Sequence, residues 1–234
     1  MFNKDGSKLS NDTAVFTINR NDYNVTTDSE GIAVFNEKLD VGYYSVIVKN
    51  SATGESSEYS LNIVKRITGN SNINMYFGAG NTFKVRVFDD DGNPVGAGEI
   101  VKMVVNKKTY NRKTDNNGYA SFKVTLAAGT YTITATYNGV KVSNKIVVKP
   151  VLIAKNISKK KAKTIKFKAK LVSTKGKALK GKKITFKIKG KTYTAKTNKN
   201  GIAAVSLKNL KVGKYTINTK YGKSSIKNTI QVKR

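Results

Sequence analysis

The sequence contains no cysteine, no histidine and no tryptophan among its 234 residues. Without cysteine no disulfide can form, so the fold must be stabilised by buried apolar side chains. Without histidine and cysteine, the chain lacks the usual general base, the usual thiol nucleophile and most zinc ligands. Catalysis would have to use carboxylates, lysine, serine or tyrosine, and no such constellation recurs. These absences predict a protein that is not an enzyme and has no cofactor.

Acidic residues are missing from one half of the chain. Residues 1–115 contain 14 acidic and 14 basic residues, whereas residues 116–234 contain 30 basic residues and no acidic one. This asymmetry predicts a neutral part followed by a polycationic part.

Long hydrophobic runs are also missing, since no window approaches the roughly 18 apolar residues of a membrane-spanning helix. The N-terminus has no apolar segment of the kind found in signal peptides, so we expect any export signal to lie upstream of this chain.

The sequence contains one unit in three copies. A Thr-x-x-x-Gly-x-Ala motif places its glycine at Gly31, Gly118 and Gly201, and a Gly-x-Tyr motif follows each copy. A turn with a central glycine also precedes each copy, so three markers stay in register. The predicted domains are residues 1–66, 67–150 and 151–234.

Each copy has the alternation of apolar and polar residues that is typical of half-buried β-strands. In the second copy, Phe83, Val85 and Val87 alternate with Lys84 and Arg86. The dipeptide at 138–139, Asn-Gly, predicts a tight hairpin because both turn positions favour positive φ. About seven short strands in about 85 residues, without helical periodicity, predict an all-β protein of tandem immunoglobulin-like β-sandwich repeats. We expect these repeats to form an extended rod.

The first copy is incomplete at its N-terminal side. Met1 and Phe2 align with Val87 and Phe88, so this copy has no counterpart of residues 67–86, which amount to about two strands. We therefore expect the chain to be a fragment of a longer repeat protein. We also expect the first copy to leave apolar core exposed, or to borrow a strand.

The repeat markers resemble those of a known family. Residues 91–95 (DGNPV), 114–120 (TDNNGYA) and 129–135 (GTYTITA) are similar to bacterial Ig-like repeats of the invasin/intimin type. The third copy, with lysine-rich strands and GKYTI at 213–217, resembles the terminal repeats of adhesin-like proteins from methanogenic archaea. The resemblance implies secreted or wall-associated stalks whose basic terminal domain holds the cell wall. A second cell surface, contacted through the missing N-terminal region, is a further candidate partner.

The third copy carries the candidate binding residues. Residues 151–234 contain 26 basic residues and no acidic one. Six lysines alternate with apolar residues on what we expect to be neighbouring strands; these are Lys166, Lys168, Lys170, Lys183, Lys187 and Lys189. Like charges at this density are destabilising, and solubility requires a net charge of only about 2–8. We therefore prefer the interpretation that these lysines attach the protein to a polyanion. The alternative is that they only provide solubility or protect strand edges.

The sequence alone does not identify the polyanion. The candidates are an anionic cell-wall polymer, an acidic polysaccharide, anionic lipid headgroups and nucleic acid. Nucleic acid is the main alternative to the wall polymer. Against it, 25 of the 26 basic residues are lysine and only Arg234 is arginine, whereas base recognition favours the bidentate guanidinium.

Two other groups have a functional and a structural interpretation. Asp89, Asp90 and Asp91 could supply oxygen ligands to calcium, but the third copy replaces them, which favours a polar turn. Equivalent tyrosines follow the Gly-x-Tyr glycine in every copy; they are Tyr44, Tyr131 and Tyr215. They could stack on a glycan, but their repetition favours tyrosine corners with the hydroxyl bonded to backbone.

Overall fold

A computed structural model describes all 234 residues, and every regular element in it is a β-strand. The chain forms two compact units, Met1–Arg66 together with Phe88–Asn93, and Ile67–Val87 together with Pro94–Arg234. The structure has no helix with the length and apolarity required to cross a membrane.

The first compact unit contains a single sheet of four antiparallel strands in the order β2-β1-β3-β4. The strands are β1 (Thr13–Ile18), β2 (Asn21–Thr26), β3 (Gly42–Asn50) and β4 (Ser56–Ile63). No second sheet covers it, and residues 32–40 are not a strand. Ala33 and Phe35 are only partly buried, whereas their counterparts Ala120 and Phe122 are buried. These core positions of the first copy are therefore less buried than those of the second, and the truncation of the first copy stays a prediction.

Residues 67–150 contribute two sheets. The strands are β5 (Ile67–Thr68), β6 (Ile73–Tyr76), β7 (Thr82–Val87), β8 (Ile100–Val105), β9 (Lys108–Lys113), β10 (Tyr119–Lys123), β11 (Gly129–Tyr137) and β12 (Val140–Lys149). One sheet has the order β10-β7-β5 and the other the order β6-β12-β11-β8-β9. Strand β6 pairs in parallel with β12, and the remaining pairs are antiparallel.

The two sheets face each other across one apolar core. Phe83 and Val85 of β7 and Phe122 of β10 come from one sheet, and Met103 of β8 and Ile133 of β11 come from the other. All five side chains are at most 3% exposed. Alternate residues of each strand point outward, as a two-layer sandwich requires.

Residues 151–234 repeat this arrangement. The strands are β13 (Leu152–Ile153), β14 (Ile157–Lys160), β15 (Thr164–Leu171), β16 (Lys183–Ile188), β17 (Lys191–Lys196), β18 (Ile202–Lys208), β19 (Gly213–Tyr221) and β20 (Ser224–Lys233). The sheets have the orders β13-β15-β18 and β14-β20-β19-β16-β17. Phe167 and Phe186 meet between them, edge to face, with ring centroids 6.1 Å apart. The prediction of an all-β protein with tandem immunoglobulin-like sandwiches is confirmed.

The predicted tyrosine corners are present in all three copies. The hydroxyl of Tyr44 donates to the carbonyl of Asp40 at 2.9 Å. The hydroxyl of Tyr131 donates to Ala127 at 3.0 Å, and that of Tyr215 donates to Lys211 at 2.8 Å. The structural interpretation is confirmed, because the same i to i−4 bond fixes the start of an equivalent strand in each copy.

The glycine of the Thr-x-x-x-Gly-x-Ala motif lies close to a backbone carbonyl oxygen in each copy. Gly118 has φ +76°, and a Cβ there would lie 2.7 Å from the carbonyl oxygen of Val87. The N–H of Val87 donates to the carbonyl of Gly118 at 2.9 Å. In the other copies, Leu171 donates in the same way to Gly201, and the Met1 amino group donates to Gly31. The motif glycine is therefore required by both its backbone conformation and its contact.

A substitution pair separates these two requirements. Gly118→Ala and Gly139→Ala both force alanine to a φ near +77°, but a Cβ at Gly139 meets no atom within 4 Å. Both variants should lose about 1–2 kcal/mol from the left-handed conformation. Only Gly118→Ala should lose a further 1–3 kcal/mol, roughly, from the clash with the carbonyl. Urea unfolding followed by tyrosine fluorescence measures both; equal losses would show that the close contact has no energetic role.

Candidate functional site

The first three predicted lysines lie on the outer face of the three-stranded sheet. Lys166, Lys168 and Lys170 alternate along β15 with side chains that are buried in the core. Their side chains are exposed, and they oppose Ser206, Ala204 and Ile202 of β18, respectively. Since like charges directly opposite each other are destabilising, the uncharged partners reduce the cost of this lysine row.

The other three predicted lysines lie on the opposite side of the sandwich. Lys183 and Lys187 are exposed on β16, which belongs to the five-stranded sheet. The expectation that β15 and β16 are neighbouring strands is therefore wrong, since consecutive segments here belong to different sheets. Lys189 lies beyond the end of β16 in a turn, at φ +49°, with its Nζ 5.4 Å from the ring centroid of Tyr215. The six lysines thus form two separate groups rather than one face.

Sequence reasoning missed several lysines of the five-stranded face. The same alternation places exposed lysines on three other strands of this sheet, β17, β19 and β20; these are Lys196, Lys214, Lys220 and Lys227. Lys183 directly opposes Lys196, whereas Lys187 opposes Thr192 and Asn218. The alternation in KYTINTKY at 214–221 would have identified this side of the face.

The third repeat contains no ion pair. The two ion pairs of the structure join Lys8 to Glu30 and Arg66 to Asp90, both in the first compact unit. The cationic side chains of residues 151–234 are thus not neutralised within their own fold. Both outer faces of this sandwich present positive charge.

A groove opens beside β15, at one side edge of the third sandwich. It has a volume of about 860 Å³. Its apolar lining comes from both sheets and from the segment between them: Ile153, Ala154, Ile157, Ala162, Ile165, Ala169 and Ile202. Six lysines also line it, namely Lys155, Lys159, Lys160, Lys166, Lys168 and Lys170. The groove therefore combines an apolar interior with positive charge, and it includes the whole lysine row of β15.

The second repeat fills the equivalent position with its own side chains. Met75 of β6, the counterpart of Lys159, is buried at 5% exposure. Phe77, the counterpart of Lys161, is partly buried and packs on the same core. Both lysines are exposed, and Lys159 lines the groove, so no buried side chain fills this position at the edge of the third sandwich. The sequence contained this signal in the aligned repeats, but it becomes interpretable only when β6 and β14 are placed over the sandwich edge.

The acidic cluster Asp89, Asp90 and Asp91 lies in the segment between β7 and β8. No group of three acidic side chains converges on one point. A carboxylate oxygen of Asp89 accepts a hydrogen bond from the Asn93 N–H at 2.8 Å, and Asp90 pairs with Arg66. These contacts fit a polar turn.

Comparison with protein-family models and with curated proteins found no sequence match. Comparison with solved structures found similarities at low identity. SGBP-B of the Bacteroides ovatus mixed-linkage glucan utilization locus, in complex with a mixed-linkage heptasaccharide, is 14% identical with a TM-score of 0.25 over 94% of this chain. A Ca²⁺-stabilized adhesin with which an Antarctic bacterium binds ice is 16% identical, with a TM-score of 0.25 over 96% of this chain. The I9–I11 tandem from titin is 13% identical, with a TM-score of 0.36 over 96% of this chain and 94% of its own.

This chain spans 60% of the first of these proteins and 66% of the second. Because the TM-scores are low, the assignment of the fold rests on the sheets and cores described above.

The lysine row of β15 should lower stability rather than support it. Replacing Lys166, Lys168 and Lys170 together by glutamine removes three charges from a repeat that contains 26 basic residues and no acidic one. The melting temperature should rise by a few degrees at low salt, because self-repulsion decreases. The difference should vanish near 1 M salt, where the Debye length is about 3 Å. A lower melting temperature in the glutamine variant at low salt would contradict this interpretation.

Proposed function

We propose that this protein is a non-enzymatic, cell-surface adhesin-like protein whose third repeat attaches to an anionic cell-wall polymer or polysaccharide. Residues 1–66 and 67–150 act as spacer repeats, and residues 151–234 form the attachment domain. The relation to invasin/intimin-type repeats and to archaeal adhesin-like proteins belongs to this proposal, as do the extracellular location and the arrangement of the repeats as a rod.

The observation that carries the proposal is a folded sandwich with 26 basic residues, no acidic residue and no ion pair of its own. The charge far exceeds the net charge of about 2–8 that keeps a small domain soluble. It lies on both outer faces of the sandwich, while an ordinary apolar core is retained between them. The outer positions are thus specialised for cation display without loss of the fold.

The chemistry of the cationic groups favours diffuse attachment. Lysine is a compact point charge on a flexible stem, so it tolerates many arrangements of anionic groups. Arginine, which reads bases and phosphates through two parallel hydrogen bonds, occurs once among the 26. Tyr193 and Tyr215 pack partly against the core and are not free stacking platforms for bases. Nucleic acid is therefore the second candidate, supported by charge alone.

The two lysine groups allow a direct test on purified wall polymer across a salt series. Two variants remove equal charge from opposite sides: Lys166, Lys168 and Lys170 to glutamine, and Lys183, Lys187 and Lys189 to glutamine. Each should weaken binding several-fold and flatten the salt dependence, because fewer counterions are released. The corresponding arginine triples are the matched controls and should retain binding.

Double-stranded DNA in the same salt series is the competing ligand. The proposal expects wall polymer to bind at least as tightly as DNA at every salt concentration. A preference for DNA that persists at high salt would overturn the choice of partner. Binding that is insensitive to both glutamine triples would overturn the role of the lysines.

A further inference from the structure

The edge of β15 that faces the groove has almost no partner strand. On one side β15 pairs with β18 along seven residues, from Thr164 opposite Lys208 to Lys170 opposite Ile202. On the other side only the two residues of β13 pair with it, opposite Lys170 and Leu171. From residue 164 to residue 169 this edge is open, and the groove runs along it.

The hydrogen-bond register decides which backbone groups face the groove. Leu171 donates to the carbonyl of Gly201, and Asn209 donates to the carbonyl of Lys163. In an antiparallel pair, bonded and non-bonded residues alternate. Odd-numbered residues of β15 therefore bond to β18, and the backbone groups of Lys166 and Lys168 point away from β18, into the groove.

The groove thus offers an extended chain three kinds of contact, which are backbone hydrogen bonds, positive charges and an apolar surface. The backbones of Lys166 and Lys168 supply a donor and an acceptor each. Their ammonium groups project on the outer face at a repeat of about 6.8 Å, which is two residues of a strand. Ile157, Ile165 and Ala169 present apolar surface on the inner side.

We propose that this groove binds an extended polypeptide segment that alternates acidic and apolar residues and adds to the sheet as a strand beside β15. Its backbone would pair with Lys166 and Lys168, as in other cases of strand addition. Its acidic side chains would lie beside the lysine row, where opposite charges on neighbouring strands are stabilising. Its apolar side chains would point inward and fill the space that Met75 fills in the second repeat.

This inference goes beyond the proposed function, which requires only the charge of the faces. Charge alone would attract any polyanion, but an open strand edge pairs with a backbone that has peptide geometry. In the second repeat the position equivalent to Lys159 is taken by Met75, which is buried in the core. The apolar groove together with its lysines therefore selects for an alternating acidic and apolar strand.

The test uses two peptides of identical composition and charge. The alternating probe is acetyl-Glu-Val-Glu-Val-Glu-Val-amide, and the block control is acetyl-Glu-Glu-Glu-Val-Val-Val-amide. The full chain should bind the alternating peptide at least about tenfold more tightly, which corresponds to 1.4 kcal/mol. Equal affinities would mean that the lysines attract charge without strand pairing, and would overturn the proposal.

Two variants of equal charge test the place of binding. Lys159→Met with Lys161→Phe restores both side chains of the second repeat and should close the groove through the Lys159 position, which lines it, whereas Lys159→Gln with Lys161→Gln leaves the groove open. The first variant should bind the alternating peptide at least about tenfold more weakly than the second. The single variants Lys159→Met and Lys159→Gln repeat the comparison if the double Met/Phe variant fails to fold.

An acidic oligosaccharide separates this inference from the proposed function. Oligogalacturonate should bind both double variants equally, because it depends on charge alone. If the groove-closing variant loses oligogalacturonate as strongly as it loses the peptide, a polysaccharide occupies the groove and the strand proposal is wrong. Equal peptide affinity in the two variants would also overturn it, and would leave the salt-dependent attachment of the faces intact.

Discussion

The structure depends on one constraint, which is that alternate residues of each strand must bury apolar side chains between two sheets. Phe167 and Phe186 satisfy it in the third repeat, where they meet at 6.1 Å between ring centroids and are fully buried. Because strands have a period of two, the intervening positions face outward and are nearly free to vary. The third repeat uses that freedom for lysine, so a polycationic surface and an ordinary apolar core coexist in one small sandwich.

Features that depend on local periodicity and turn chemistry could be predicted from the sequence. The alternation through Phe83, Val85 and Val87 gave β7, and Asn138-Gly139 is the tight turn between β11 and β12, with φ of +43° and +77°. The tyrosine corners followed from the offset between glycine and tyrosine in each copy. Strand β9, at Lys108–Lys113, was not identified because it is a largely exposed edge strand with no alternating apolar residues.

Features that depend on which strands become neighbours could not be predicted in the same way. The lysines of β15 and β16 alternate in the same way in the sequence, yet β15 and β16 belong to different sheets. The groove also depends on contacts between segments that are distant in the sequence. Lys159 lines it only because β14 pairs with β20, which places β14 across the groove from β15. The groove therefore depends on the tertiary arrangement, whereas the core could be predicted from the local pattern.

Site-resolved amide hydrogen exchange along β15 tests the central claim most directly, namely that the lysine-rich segment is a core strand with one paired and one open edge. The N–H groups of Ile165, Phe167 and Ala169 face β18 and should exchange on the order of 100-fold more slowly than those of Lys166 and Lys168. Uniformly fast exchange would indicate a disordered basic segment. Uniformly slow exchange would show that both edges are covered, and either result would contradict the account.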